Sequence, residues 1–185
     1  LRERYSIQRS LRVVADPGHG VAALTGLTAL SAIGAEVIGI RAELGAGGPE
    51  HIANPQQAGS LSMLSARVIE VGADLGVAWD EDGDRVGIVD EAGRCYEADW
   101  IVALLARGVI SRLPGSRILM DLKSSRGPIA NVRAHGGEPV LAKTGYSTFR
   151  RQMREQGIPF GGELSGHIMF GEDYPYIDDG VMAAC

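Results

Sequence analysis

Cysteine is nearly absent from this 185-residue chain. Cys95 and Cys185 stand far apart and in no metal-type spacing, so neither a disulfide framework nor a zinc site has anything to build on, and both read as free thiols. A basic excess is missing too: 18 Lys and Arg stand against 23 Asp and Glu, for a net charge of −5 and an isoelectric point near 5.4. That balance offers no cationic stripe to a phosphodiester backbone and excludes nucleic acid as a partner. No apolar run approaches the roughly 20 residues of a membrane span. Leu1 to Ser10 is polar and charged rather than signal-like, so the chain reads as soluble and cytoplasmic, with no membrane partner. An initiating methionine is also lacking. The chain opens on Leu1 and stops at Cys185, just past a run, Asp179 to Ala184, that reads as a helix getting started, which suggests a piece of a longer chain. What is present is 45% hydrophobic residues, enough to bury a core in one large domain or two small ones.

Those apolar residues fall in alternating patterns. Arg12 to Asp16 is a β-branched run stopped by Pro17-Gly18-His19-Gly20, and Val21 to Ile33 is Ala/Leu-rich and helical in character. Glu36 to Ile40 reads as the next strand, Leu44 to Gly59 as a loop, Ser60 to Val71 as a helix and Asp74 to Trp79 as a buried strand. After an acidic stretch, Val86 to Asp90 reads as a strand that turns at Glu91 to Arg94 into Cys95-Tyr96. The alternation then starts afresh. Asp99 to Arg112 reads as a helix, Arg117 to Asp121 as a strand and Ile129 to His135 as a helix. Glu138 to Ala142 follows as a strand, Ser147 to Gln156 as a helix capped by Ser147, and Phe160 to Phe170 as Gly-rich strand and loop. The predicted fold is two consecutive three-layer α/β/α units with mixed, mostly parallel sheets, over residues 1–97 and 98–185. The halves look alike, although no sequence repeat proves it.

The acidic stretch is Asp80-Glu81-Asp82-Gly83-Asp84-Arg85. Three aspartates at alternate positions after a buried strand turn their carboxylates to one point, as the hard oxygen ligands of magnesium require, and Gly83 permits the tight bend. Carboxylates about 5 Å apart at an effective dielectric near 20 repel by roughly 3 kcal/mol per pair, a cost that asks for a cation. A calcium EF-hand would also use Asp80, Asp82, Asp84 and Glu91, but needs glycine where Arg85 stands, and its flanks should be helices rather than strands. A haloacid-dehalogenase-type phosphatase places an Asp-x-Asp after a strand, but usually the first strand, and it leaves Asp84-Arg85 unexplained. Arg85 favours phosphate, because a guanidinium beside a bound cation adds positive charge facing a transferring phosphoryl group. A non-catalytic module that binds metal or sugar phosphate stays open.

A second motif lies downstream, Gly161-Gly162-Glu163-Leu164-Ser165-Gly166-His167, with Asp121-Leu122-Lys123-Ser124-Ser125 and Lys143-Thr144-Gly145-Tyr146-Ser147 between the two and Asp178-Asp179-Gly180 beyond. In this order and separation, the motifs make nearly the whole chain resemble the α-D-phosphohexomutases, in particular the bacterial phosphomannomutase/phosphoglucomutase group. The resemblance implies the second and third domains of a four-domain isomerase that interconverts hexose 6-phosphate and hexose 1-phosphate through a bisphosphate. The phosphoserine of the first domain and the phosphate grip of the fourth are not among these residues, so the chain alone is expected to be inactive.

By the same resemblance Asp80, Asp82 and Asp84 ligate Mg2+ and Arg85 lies beside the phosphate. Glu163 and Ser165 would hydrogen-bond two sugar hydroxyls, while Lys123 and His167 would handle protons or face phosphate. Tyr146 stands where the group commonly has a sugar-facing histidine, and can still donate a hydrogen bond. Glu81 replaces a smaller residue and is expected to point outward. His19, His51 and His135 join no constellation and read as structural.

Overall fold

Strands covered on both faces need apolar residues at successive positions, and Val13, Val14 and Ala15 are each at most 2% exposed. They lie in β1 (Arg12–Asp16), followed by α1 (Ala22–Ala32), β2 (Glu36–Gly39), α2 (Ser62–Val71), β3 (Leu75–Trp79), β4 (Val86–Asp90) and β5 (Cys95–Tyr96). Next come α3 (Ala98–Arg112), β6 (Arg117–Asp121), α4 (Arg126–Ala134), β7 (Glu138–Ala142), α5 (Tyr146–Gln156), β8 (Phe160–Gly162), β9 (Ile168–Phe170), β10 (Ile177–Asp178) and α6 (Gly180–Ala184). This computed structural model describes residues 7, 9–45, 54–172 and 174–185. His51 and the middle of the loop expected over Leu44 to Gly59 lie outside the described residues.

The chain divides into two units, Leu1–Tyr96 with Gly180–Cys185, and Glu97–Asp179. In the first, the sheet order is β2-β1-β3-β4-β5, with β1 parallel to β2 and β3, and β4 antiparallel to β3 and β5. One face packs on α2, where Leu64 and Val68 meet Val14, Ala78 and Val89. The other carries α1, where Gly26 abuts the Trp79 ring closely enough that a Cβ there would sit 2.9 Å from it. In the second unit the order is β7-β6-β8-β9-β10, with the same pattern of senses. Leu119 and Met169 pack with Phe149 and Met153 of α5 on one face, while Gly162 backs onto Val102 of α3 on the other.

Each unit is thus a three-layer α/β/α sandwich with a mixed five-stranded sheet, and the two are built to one topology. The likeness extends to helix ends. Gly72 after α2 and Gly157 after α5 both take the left-handed conformation that side chains resist, at φ 59° and 61°. The residue after each donates back into its helix, Ala73 N–H to Val68 O at 3.0 Å and Ile158 N–H to Met153 O at 2.9 Å.

Two local expectations need correction. Ser147 does not cap α5: the helix begins a residue earlier, Gly145 occupies the cap position with φ 139°, and no side chain caps it. Helix α4 begins at Arg126, three residues before the expected Ile129, because the buried Asp99 accepts the Ser125 N–H at 2.8 Å and so caps it from α3. Pro128 is tolerated there because the first turn needs no N–H. By contact, residues Gly180–Cys185 group with the first unit. Gly180 lies on the backbone of Gly83 and Arg85, where a Cβ would come within 2.7 Å of both carbonyl oxygens.

Among the described residues no helix is long and apolar enough to cross a membrane. Phe149 is fully buried in the second core. Phe149→Ala should lower the unfolding free energy by about 3–5 kcal/mol, whereas Leu104→Ala, at a site 57% exposed, should stay within about 0.5 kcal/mol. Urea titration followed by circular dichroism checks both.

Candidate active site

In open α/β sheets chemistry gathers beyond the carboxyl ends of the strands. In the first unit β3 ends at Trp79 and the acidic loop begins with Asp80, only 3% exposed. Asp80 Oδ1 accepts the Arg85 N–H at 3.1 Å, and its Oδ2 lies 3.2 Å from Arg85 Nε. The same Nε is 3.8 Å from Asp84 Oδ1. The structure therefore brings Asp80, Asp82 and Asp84 together, with one carboxylate oxygen of each within 4.8 Å of the others. Burial pushes the Asp80 carboxyl above its ordinary range and the neighbouring Asp82 charge adds to this, against the opposing pull of the Arg85 N–H and guanidinium. Glu81 is exposed.

The loop is anchored through its backbone. Glu81 O accepts the Val21 N–H at 2.8 Å and Gly83 O accepts the Gly180 N–H at 3.1 Å. Gly20 is packed so tightly that a Cβ would lie 2.6 Å from Glu81 O. The turn holding Gly20 is itself fixed by Asp16, a fully buried carboxylate at the end of β1 that sequence reasoning passed over. Asp16 accepts the Gly18 N–H at 3.1 Å and two guanidinium N–H groups of Arg41, Nε at 2.8 Å. His19 donates from Nδ1 to Glu43 O at 3.0 Å, and His135 to Asn131 O at 2.8 Å.

The second unit repeats the device. Asp121 ends β6 fully buried and gathers three loops: it accepts from the Lys123 N–H at 3.0 Å, the Thr144 hydroxyl at 2.9 Å and the Leu164 N–H at 3.3 Å. Glu163, 2% exposed, follows β8 as Asp80 follows β3. It accepts the Gly145 N–H and, at 3.3 Å, the Ser165 hydroxyl. A tight turn closes behind it, with Glu163 N–H on His167 O at 2.9 Å.

His167 lies 2.8 Å from Asp178 through Nδ1. Since a carboxylate only accepts, Nδ1 carries the hydrogen and the pair fixes the ring. Tyr146 is 36% exposed at the start of α5. Lys123 is exposed, and its ammonium makes no hydrogen bond among the described residues. Glu163 and Ser165 are therefore brought together, Asp121 ties Lys123 and Thr144 to the same loop, and His167 has a carboxylate partner. The signal for Asp16 and Asp121 was available: each is an aspartate closing a strand that the other strands flank.

With this geometry in view, comparison with known proteins is informative. Residues 3–93 match the family model described as phosphoglucomutase/phosphomannomutase, alpha/beta/alpha domain II, and residues 97–185 match the model of domain III. The chain belongs to the phosphoglucomutase/phosphomannomutase family. Over 184 residues it is 40% identical to a phosphomannomutase/phosphoglucomutase of Pseudomonas syringae pv. tomato, covering all of this chain and 40% of that protein. The solved structure of a phosphoglucomutase/phosphomannomutase family protein from Burkholderia thailandensis superposes with a TM-score of 0.93 at 34% identity, covering 98% of this chain and 40% of that one. In fold alone it is also similar to an Aspergillus fumigatus N-acetylphosphoglucosamine mutase solved with GlcNAc-6P and magnesium. There the TM-score is 0.65 at 14% identity, over 97% of this chain and 42% of that one.

This family member thus spans about 40% of the length of the curated relatives it matches. The dehalogenase-type alternative finds no support. The acidic loop follows the third strand of its sheet, and its flanking elements are strands, which also removes the EF-hand.

Two outcomes are expected of this family member. In EDTA the raised Asp80 value means that its stabilising contribution is complete below the ordinary 3.8 and is lost as pH rises through the folded value. Asp80→Asn should therefore raise the melting temperature at pH 7 in EDTA, as scanning calorimetry reads. Asp121→Ala strands several part-buried donors and should cost about 2 kcal/mol in urea unfolding, with Asp121→Asn recovering part of the loss.

Proposed function

We propose that this chain supplies the two central domains of a phosphohexomutase that interconverts hexose 6-phosphate and hexose 1-phosphate, with mannose and glucose as the sugars. The observation that carries this reading is a pair of buried carboxylates, Asp80 and Glu163, each opening the loop after the third strand of a sheet of one topology. Domain II and domain III matches cover these two loops in turn.

On this reading Asp80, Asp82 and Asp84 hold Mg2+. The fit rests on the donor set: three hard oxygens within 4.8 Å of one another, one of them on a carboxyl whose ionisation burial opposes. When bound, the ion supplies positive charge that offsets the charge on phosphoryl oxygens. Arg85 adds a guanidinium at the same loop, oriented by its Nε contact with Asp80.

Glu163 and Ser165 take two vicinal sugar hydroxyls, for which the 3.3 Å contact between them is exchanged for contacts to the ring. Tyr146 donates a further hydrogen bond. Lys123 contributes a cation or a base. With Nδ1 held by Asp178, His167 has Nε2 as the atom that exchanges a proton with the reacting hydroxyl. The phosphoserine donor and a phosphate-gripping domain come, on this reading, from parts of the parent enzyme outside these residues.

A coupled assay tests the proposal. The 185-residue chain should show no turnover, whereas the reading frame at the full length of its relatives should convert mannose 6-phosphate and glucose 6-phosphate to the 1-phosphates. Glu163→Gln in that enzyme should lower kcat/KM by about 10–100-fold, the worth of one charge-assisted hydrogen bond. Turnover by the chain alone, or full activity of the variant, would contradict the assignment.

A further inference from the structure

The outer face of α5 carries a charge pattern that sugar reading leaves unused. Tyr146, Arg150 and Arg154 form one i, i+4 row, and Ser147, Arg151 and Glu155 form the next. Together they line a cavity of about 550 Å3, a volume suited to a small ligand. The opposite face of the helix is the apolar one, with Phe149 and Met153 fully buried.

Three guanidinium groups share this surface with one carboxylate. Among the described residues none of Arg150, Arg151 and Arg154 is in an ion pair, and Arg150 Nε is shielded from solvent with no hydrogen-bond acceptor. The like charges of Arg150 and Arg154 at i, i+4 destabilise the helix, and a bound anion would relieve them.

We propose that this face of α5 is a subsite for a phosphate monoester. The planar guanidinium forks of Arg150, Arg151 and Arg154 match phosphate oxygens, and the Ser147 hydroxyl adds a donor at one end. The same group is carried by a hexose phosphate and by free inorganic phosphate. The subsite adjoins the sugar-reading residues of the proposed function, since Tyr146 lines it and directly follows Gly145, whose N–H is bonded to Glu163.

Isothermal titration of the full chain with inorganic phosphate and, separately, with glucose 6-phosphate tests it. The parent should bind phosphate saturably and less tightly as salt rises, and R150Q/R154Q, with its circular dichroism unchanged, should weaken both ligands by at least about tenfold. Glu163→Gln should leave inorganic phosphate binding unchanged and weaken only glucose 6-phosphate. If Glu163→Gln changes neither ligand while R150Q/R154Q weakens both, the subsite is supported and Glu163 is removed from sugar recognition. Equal phosphate affinity in parent and double variant, or no saturable phosphate binding by the parent, overturns the proposal.

Discussion

A carboxylate buried at the end of a β-strand is costly to ionise, and the first unit is organised around one. Asp80 is 3% exposed, with a second aspartate pressing negative charge on it and Arg85 answering through both its backbone N–H and its guanidinium. Holding that arrangement requires a loop that cannot relax outward. The backbone ties from Val21 and Gly180, with the close approach of Gly20, are what prevent relaxation. Asp16 and Arg41 extend the same constraint one step further from the loop, since they lock the turn on which Gly20 sits.

The second unit meets a related constraint with the same architecture. Strand order and sense repeat, and so do the stations of the buried acids: Asp121 ends β6 as Asp16 ends β1, and Glu163 follows β8 as Asp80 follows β3. The chemistry differs because the partners differ. Around Asp80 the nearest groups are further carboxylates and a guanidinium. Around Glu163 they are a backbone N–H and a serine hydroxyl. One fold thus carries two different sets of side chains at equivalent loops.

Much of this was legible in the sequence. Uninterrupted apolar runs such as Val13 to Ala15 mark strands covered on both sides, and the spacing of Leu64 and Val68 marks the helix that covers them. The acidic loop stood out because three aspartates at alternate positions have few other uses. What escaped was set by contacts between distant residues. The start of α4 depends on Asp99 in α3, and the start of α5 on a glycine rather than the serine two residues on. Local propensity carries no record of such partners. Asp16 and Asp121 each close an apolar run, which was legible, but nothing near them in sequence names Arg41 or Thr144 as their partner.

The proposed function requires three aspartates in one loop to hold a divalent cation. Crystals of the chain soaked in millimolar manganese, measured at the manganese absorption edge, test this most directly. The account predicts an anomalous peak bounded by carboxylate oxygens of Asp80, Asp82 and Asp84, lost in Asp82→Asn crystals. A manganese peak bound elsewhere with the loop empty, or one that persists at the loop in that variant, would contradict it.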